Sequence, residues 1–172
     1  MRDAAISLPR AIQLHPAIRQ KVIDTISNIE NLYLPTTVKI RIVQALRTIE
    51  EQNDLFSQGR TKPGSIVTNA KGGRSFHNYG LAFDFALMYD KDGNGSFETL
   101  SWDIDYDFDK DGKKDWQEVV APFKALGFTW GGDFKNIPDS PHLERTFGYS
   151  WQELYAKYTK NDFITGTKYL NL

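Results

Sequence analysis

The chain has 172 residues, of which 40% are hydrophobic and 13% aromatic, enough for one substantial core but too few for two, so a single domain over residues 1–172 is expected. Its 21 basic and 22 acidic residues leave a formal charge of −1, which gives no global field favouring nucleic acid or an anionic membrane. There is no cysteine, which excludes disulfides, thiolate metal sites and cysteine nucleophiles.

The amino terminus, MRDAAISLPRAIQLHP, contains no apolar run of signal-peptide length. No other stretch approaches the roughly 20 apolar residues of a membrane span. We therefore expect a monomer made in the cytoplasm without membrane insertion. Such a protein would need release or cell lysis to act outside the cell.

Helices and strands are predicted in mixed order. Apolar residues three and four apart predict a helix over residues 16–32. Alternating β-branched and polar residues predict a strand over 37–46, with Arg47 at its end, and a second helix covers 48–57. After a glycine turn at 71–74, residues 81–89 form a strongly apolar predicted strand.

The second half of the chain continues this mixture. Residues 116–126 are predicted to form a helix, 128–130 a short strand and 151–158 a last helix capped by Ser150, while His142 is placed in a loop. Because the elements show no regular βαβ alternation, the predicted class is α+β, a small antiparallel sheet with flanking helices.

Two of the three histidines lie in segments that also carry an isolated acid. His77 precedes a glycine turn, and Asp84 interrupts the apolar strand that follows, where a carboxylate is costly unless it is paired or bound to a metal. With His142 they make a donor set that suits Zn²⁺ and leaves a fourth position for water. Asp139 is the candidate base for that water, and Glu144 is the alternative base or a supporting group.

These metal candidates have an ordinary alternative. A histidine in a soluble domain is usually exposed or simply hydrogen-bonded, and an Asp-x-Pro segment is usually a turn. For His15 we adopt that interpretation.

Two segments, SFHNYGLAFDF and WGGDFKNIPDSPHLE, resemble the zinc peptidase family of D-alanyl-D-alanine carboxypeptidases and L-alanyl-D-glutamate endopeptidases, which includes phage endolysins and bacterial wall hydrolases. The family's signature is Ser-x-His, Gly-x-Ala-x-Asp, Trp-Gly-Gly-Asp and Asp-x-Pro-His, and the resemblance covers about residues 38–150. It implies a hedgehog- and DD-peptidase-like fold and a peptidoglycan stem peptide as substrate. The short Asp-x-Pro-His form resembles the endopeptidase branch, so cleavage between L-Ala and D-Glu is expected, with D-Ala-D-Ala carboxypeptidase activity as the alternative.

The resemblance also implies roles for individual residues. His77, Asp84 and His142 fall on the zinc ligands and Asp139 on the catalytic acid/base. Arg47 falls on an arginine that steadies the oxyanion or a substrate carbonyl, its alternative being a surface salt bridge. Positioning or cleft-wall roles are implied for Ser75, Gln52, Trp130 and Asp133. A turn hydroxyl, a helix-surface amide and core or turn packing are the alternatives for these four.

An acidic insertion over residues 90–118 carries a second candidate metal site. Residues 107–118 match the twelve-residue calcium loop, with Gly112 at its sharp turn. The preceding loop, 90–101, ends in Ser101 and is the weaker match. The expected Ca²⁺ residues are Asp107, Asp109, Asp111, Lys113, Asp115 and Glu118. Bound calcium would order one wall of the cleft and gate activity, whereas the alternative is a solvated hairpin whose Asp-Gly pairs only make turns.

Two other functional classes stay open. One is a non-catalytic module that keeps the fold and the metal but only recognises cell-wall peptides. The other is a calcium-ordered structural domain in which zinc plays no part.

Overall fold

Five helices and five strands make up the computed structural model, which describes all residues from 1 to 172. The helices are α1 (Ala4–Ala11), α2 (Pro16–Leu32), α3 (Ile49–Ser57), α4 (Asp115–Ala125) and α5 (Trp151–Thr159). The strands are β1 (Val38–Gln44), β2 (Ala82–Tyr89), β3 (Thr99–Ser101), β4 (Thr129–Trp130) and β5 (His142–Glu144). The predicted α+β class with a small antiparallel sheet is confirmed. None of the helices has the length and apolarity needed to cross a membrane.

The sheet is antiparallel and is organised around β2. Its order is β1-β2-β5-β4, and β3 pairs with the distal part of β2 beyond β5. Asp84 on β2 lies opposite His142 on β5. His142, predicted to lie in a loop, is therefore on a strand. Three residues carry too little periodicity to be recognised as a strand from sequence, and only the pairing with β2 reveals it.

The apolar run of β2 is buried because it is covered on its faces by helices and aromatic side chains. Phe83 contacts Phe123 of α4 at a ring distance of 5.2 Å, and Phe85 contacts Trp116 of the same helix at 4.6 Å. Such close aromatic pairs stabilise the core beyond simple burial of area. The strand that carries Asp84 is thus held rigidly between α4 and the rest of the core.

The outer edge of β1 is closed by side chains rather than by another strand. The backbone N–H of Ile40 donates to Glu30 Oε1 at 3.0 Å, and that of Ile42 donates to Ser7 Oγ at 2.9 Å. Arg10 donates to the Ile42 carbonyl. These bonds satisfy backbone groups that would otherwise invite edge-to-edge pairing. Two of the three side chains come from α1, a helix that the sequence patterns did not predict because it is short and contains a proline.

The tail after α5, which looks irregular in the sequence, packs back onto the start of α2. Leu170 is buried, and its carbonyl lies 2.9 Å from His15 Nε2. The Nδ1 of the same ring accepts from Ala17 N and caps α2. His15 therefore has the ordinary hydrogen-bonded role expected for it.

Candidate metal centre

Three donor atoms from separate segments converge at one point. His77 Nε2 lies 3.2 Å from Asp84 Oδ1 and 3.2 Å from His142 Nδ1, and the last two atoms are 3.1 Å apart. A tetrahedral ion about 2.0–2.1 Å from each donor would hold them about 3.3 Å apart. The spacing therefore matches that of a metal site, and these residues could hold a metal ion.

The outer nitrogens of the two rings explain why the inner ones can bind a cation. His77 Nδ1 donates to the Ala45 carbonyl at 2.7 Å, and His142 Nε2 donates to Glu144 Oε2 at 3.0 Å. In each neutral ring the proton then sits on the outer nitrogen and a lone pair points inward. Two inward lone pairs beside a carboxylate need a positive charge between them, which Zn²⁺ supplies.

The electrostatics of the cluster agree with this requirement. Burial would raise the pKa of Asp84, but His77 and His142 hold it well below its ordinary value. Burial would also lower the pKa of His142, but hydrogen bonds to Asp84 and Glu144 raise it to about 9. Without an ion, a proton supplies the positive charge, so metal binding at neutral pH displaces that proton.

Local sequence fixes His77 in its place. It lies in the short 3₁₀ turn Phe76–Tyr79, and its own backbone N–H donates to the Ser75 hydroxyl, which caps the start of the turn. Gly80 ends the turn with a φ of +67°, a conformation that favours glycine. Ser75, for which a positioning role or that of a turn hydroxyl was predicted, therefore caps the turn that carries the metal-ligand candidate His77.

Arg47 reaches the cluster from the end of β1. Its Nη2 lies 3.9 Å from Asp84 Oδ2, and its Nη1 donates to Gln52 Oε1 at 2.7 Å. Gln52 is fully buried and donates in turn to the Ala70 carbonyl at 2.8 Å. Arg47 Nε is buried without a hydrogen-bond partner. Burial lowers the pKa of Arg47, although a guanidinium stays charged at any physiological pH.

The Trp-Gly-Gly motif, residues 130–132, holds the segment that carries Asp139 in place through two hydrogen bonds. Asp139 N donates to the Gly131 carbonyl at 2.9 Å, and the Trp130 indole donates to the Ser140 carbonyl at 2.7 Å. A Cβ on Gly131 would lie 2.3 Å from the Asp139 carbonyl oxygen, so only glycine fits there. Trp130 thus braces this turn. Partial burial and the Asp84 carboxylate raise the pKa of Asp139.

Two predicted site residues have other surroundings. Asp133 is exposed and pairs with Lys124 of α4, so the structure does not bring it into the cluster. Glu144, the alternative base, is bonded to the outer nitrogen of His142 and orients that ring. The supporting role was one of the two predicted for Glu144, whereas the contribution of the Ala45 carbonyl was not predicted, because a backbone group gives no signal in the sequence.

In the acidic insertion, residues 90–118, one side chain does not lie where the calcium-loop pattern predicted it. Asp115 was expected to face Ca²⁺, but its carboxylate is fully buried and accepts from the Tyr89 hydroxyl at 2.8 Å and from Phe108 N. It therefore belongs to the core. Asp107, Asp109 and Asp111 lie in the loop itself, and Glu118 lies on the first turn of α4.

Comparison with known proteins gives consistent matches. Residues 68–145 match the family described as D-alanyl-D-alanine carboxypeptidase. The peptidoglycan L-alanyl-D-glutamate endopeptidase CwlK of Bacillus subtilis is 44% identical over 143 residues, covering 83% of this chain and 80% of that protein. An L-alanyl-D-glutamate peptidase of a Listeria phage is 34% identical over 113 residues, 65% of this chain and 32% of that protein.

The fold also has a solved counterpart. It is similar to that of the Serratia marcescens L-Ala D-Glu endopeptidase ChiX, with a TM-score of 0.55 and 23% identity over 86% of this chain and 91% of that one. At this identity the likeness concerns the fold. All three converging donors and Asp139 lie inside the stretch 68–145, whereas Arg47 and Gln52 lie before it.

Proposed function

Because this chain belongs to the family of D-alanyl-D-alanine carboxypeptidases and L-alanyl-D-glutamate endopeptidases, we propose that it is a zinc peptidase that cuts peptidoglycan stem peptides between L-Ala and D-Glu. The convergence of His77, Asp84 and His142 supports the chemistry. The two relatives named for L-alanyl-D-glutamate cleavage support the choice of bond.

Zn²⁺ is the ion that the donors fit best, since it is a borderline cation that binds imidazole nitrogen and carboxylate oxygen together in tetrahedral sites. When bound, it acts as a Lewis acid and makes a neighbouring water acidic enough to ionise near neutral pH. The three ligand residues hold it, and Glu144 and the Ala45 carbonyl fix the two rings.

Asp139 carries the proton. Its carboxylate takes a proton from the attacking water as the new C–O bond forms, and returns it to the leaving amine as the C–N bond breaks. The raised pKa of Asp139 suits both steps, because an acid whose pKa lies closer to neutral holds and releases a proton more readily.

Arg47 stabilises the oxygen of the scissile carbonyl as it becomes negative. Gln52 holds one arm of the guanidinium, Asp84 lies near a second, and the buried Nε has no other partner. A fixed cation of this kind needs no reorganisation when the charge develops. Its role is thus to complement the transition state.

A monomer suffices for this reaction, since one chain supplies every group. The partner is the stem peptide of the wall. A protein made in the cytoplasm would meet it only after release or lysis.

The D-Ala-D-Ala carboxypeptidase alternative remains of interest because the matching family carries that description. Mass spectrometry of fragments released from purified peptidoglycan by the zinc-loaded protein distinguishes the two, with His142→Ala as the inactive control. New D-Glu or D-iso-Gln amino termini are expected. Release of D-alanine alone would establish the carboxypeptidase, and no release from several wall types would favour a binding module.

The assignment of Asp139 is tested by Asp139→Asn. Hydrolysis should fall about 10²–10⁴-fold, because the proton carrier is lost, while bound zinc per chain stays unchanged. Asp133→Asn is a matched control, since Asp133 lies in the same loop region but pairs with Lys124 on the surface. Wild-type activity in Asp139→Asn would remove Asp139 from the mechanism.

A further inference from the structure

The acidic loop of residues 107–118 forms a cluster separate from the peptidase centre. Carboxylate oxygens of Asp107, Asp109 and Asp111 lie within 4.8 Å of one another. The Gly112 N–H donates to Asp107 Oδ2 at 3.0 Å, which draws the loop into a compact turn. Exposed acidic groups often have this arrangement without a ligand, so the cluster alone does not establish a site.

Glu118, on the first turn of α4, supplies the independent observation. The residue is only 8% exposed, and its Oε2 is buried without any hydrogen-bond partner. Its Oε1 has an ion-pair contact with Lys113 Nζ at 3.8 Å. Burying a carboxylate oxygen without a partner is unfavourable unless a cation compensates. Asp107 Oδ1 is buried and unpartnered in the same way.

The two buried oxygens without a partner, Asp107 Oδ1 and Glu118 Oε2, belong to the residues at the two ends of the loop. Asp107 is the first and Glu118 the twelfth residue of the loop, the positions that close around the ion in calcium loops of this length. An ion bound through the first and twelfth residues, as in calcium loops of this length, would give both oxygens a partner. The alternative, a simple Asp-Gly turn, accounts for the exposed acids but leaves the buried Glu118 unexplained.

The charges around Glu118 also require compensation. Burial and the carboxylates of Asp111 and Asp109 raise the pKa of Glu118 to about 7, against the opposing effect of Lys113. The Lys113 ammonium, 3.0 Å from Asp111 Oδ2, partly supplies the missing positive charge. That side chain is 67% exposed, so it can swing into solvent when a metal ion enters.

We propose that the loop binds one Ca²⁺ through the carboxylates of Asp107, Asp109, Asp111 and Glu118 and the backbone carbonyl of Lys113. An all-oxygen set with a bidentate carboxylate favours Ca²⁺ over the smaller, strictly octahedral Mg²⁺ and over Zn²⁺. Asp115 takes no direct part, because its carboxylate is committed to Tyr89.

The neighbouring loop, 90–101, is not part of this site. Both carboxylate oxygens of Asp90 already accept backbone N–H groups, from Asn94 and Gly95. Its twelfth residue, Ser101, lies on β3 and offers no bidentate carboxylate. The loop also has no buried, unpartnered oxygen.

Calcium at this position would act on α4. Glu118 lies two residues after Trp116, whose ring packs on Phe85 of β2 at 4.6 Å. Binding would therefore tie the start of α4 to the loop and stabilise the packing beneath the strand that carries Asp84. This consequence does not depend on the peptidase assignment.

Isothermal titration calorimetry of the full-length, zinc-loaded protein with CaCl₂ tests the site directly. We expect one Ca²⁺ per chain with a Kd of about 10⁻⁵–10⁻³ M. Glu118→Gln should weaken binding at least about tenfold, because it removes the bidentate ligand. Asp105→Asn removes one charge just outside the loop, where Asp105 pairs with Lys114, and should change the Kd less than about twofold.

Thermal unfolding provides a second readout that is independent of heat signals. At 100 times the wild-type Kd, Ca²⁺ should raise the Tm of the wild type by roughly 5–10 °C and that of Glu118→Gln by at most about half as much. Without calcium, Glu118→Gln should be at least as stable as the wild type, because it removes a buried carboxylate that has one oxygen without a partner; this also shows that the variant folds. No saturable binding by the wild type up to 10 mM Ca²⁺, or equal binding by Glu118→Gln, would overturn the proposal.

Discussion

At the scale of single residues, one neighbouring side chain decides which ring nitrogen of His142 can bind a metal ion. The ring could present either nitrogen to a metal, and the 3.0 Å contact from Nε2 to Glu144 Oε2 selects Nδ1. Glu144 lies two residues after His142 on the short strand β5, so both side chains are on the same face of the sheet. A carboxylate that looks like a candidate base in the sequence is thereby a positioning residue.

We expect Glu144→Ala to weaken zinc binding about 10–100-fold, because His142 loses the partner that holds its tautomer and orientation. Glu144→Gln keeps an acceptor and should lose less. Zinc affinity is measured by competition with a chelator. At saturating zinc, Glu144→Ala should recover most of its hydrolytic activity; complete inactivity under those conditions would instead make Glu144 the proton carrier.

Arg47→Lys tests whether the guanidinium geometry matters. An ammonium cannot reach the substrate oxygen and Gln52 together, so kcat should fall about 10²-fold with zinc content unchanged. Steady-state kinetics on a stem-peptide substrate measure this. Arg74→Lys is the matched control, because the guanidinium of Arg74 lies over the Trp151 ring, 4.9 Å from its centroid, and has no ion pair with Asp84. An unchanged kcat would return Arg47 to the role of a structural ion-pair partner.

At the scale of elements, the N-terminal segment anchors the edge strand of the sheet. Asp3, at the start of α1, accepts two hydrogen bonds from Arg41 at 2.9 Å and one from Ser7, and pairs with Lys39 at 3.1 Å. Burial alone would raise the pKa of Asp3, but these partners together lower it. The charged carboxylate therefore stabilises the attachment of α1 to β1.

Asp3→Asn should lower the free energy of unfolding by about 2 kcal/mol at pH 6, since it leaves two cations beside a neutral amide. The native pKa lies below the ordinary value of 3.8, so this contribution is present above pH 3.8 and is lost as the pH falls through the native pKa. The difference between variant and wild type should shrink below about pH 4. Urea unfolding at pH 6 and pH 3.5 measures it, and a difference independent of pH would show that the charge does not matter.

At the scale of the whole molecule, the chain has a large core and a smaller second cluster. The second cluster brings together Tyr79, Leu81, Leu154 and Leu170. It joins the turn that carries His77, the last helix and the C-terminal tail. The tail thus supports one wall of the metal centre, although its sequence shows no regular pattern.

Leu170→Ala should lower the free energy of unfolding by about 2–4 kcal/mol, because it opens a cavity in this cluster. Leu172→Ala, at a position that is 37% exposed, should stay within about 0.5 kcal/mol of the wild type. Chemical denaturation of both variants measures the difference. Equal stabilities would mean that the tail is not part of the cooperative unit.

Much of this protein could be predicted from local patterns. The helix Pro16–Leu32 follows its apolar spacing, and the last helix begins at its Ser150 cap, as predicted. His77, Asp84 and His142 were candidates because a carboxylate inside an apolar strand is costly unless it is paired or bound to a metal, and the resemblance to the zinc peptidases favoured them over the ordinary hydrogen-bonded alternative. The two helices depend on residues close together in the chain, whereas the donor set combines two short segments that are far apart in it.

Other features depend on which segments meet. The pairing of Asp84 with His142 joins residues 58 positions apart, and it places His142 on a strand too short to recognise. On the same strand, the carboxylate of Glu144 contacts Nε2 of His142. The carboxylate of Asp115 is buried in the core, where it accepts from the Tyr89 hydroxyl. The sequence by itself determined the chemistry and most of the elements, since donor type and periodicity are local properties. Only the tertiary structure decided which atoms face each other, because distances between remote segments are set by sheet register and core packing.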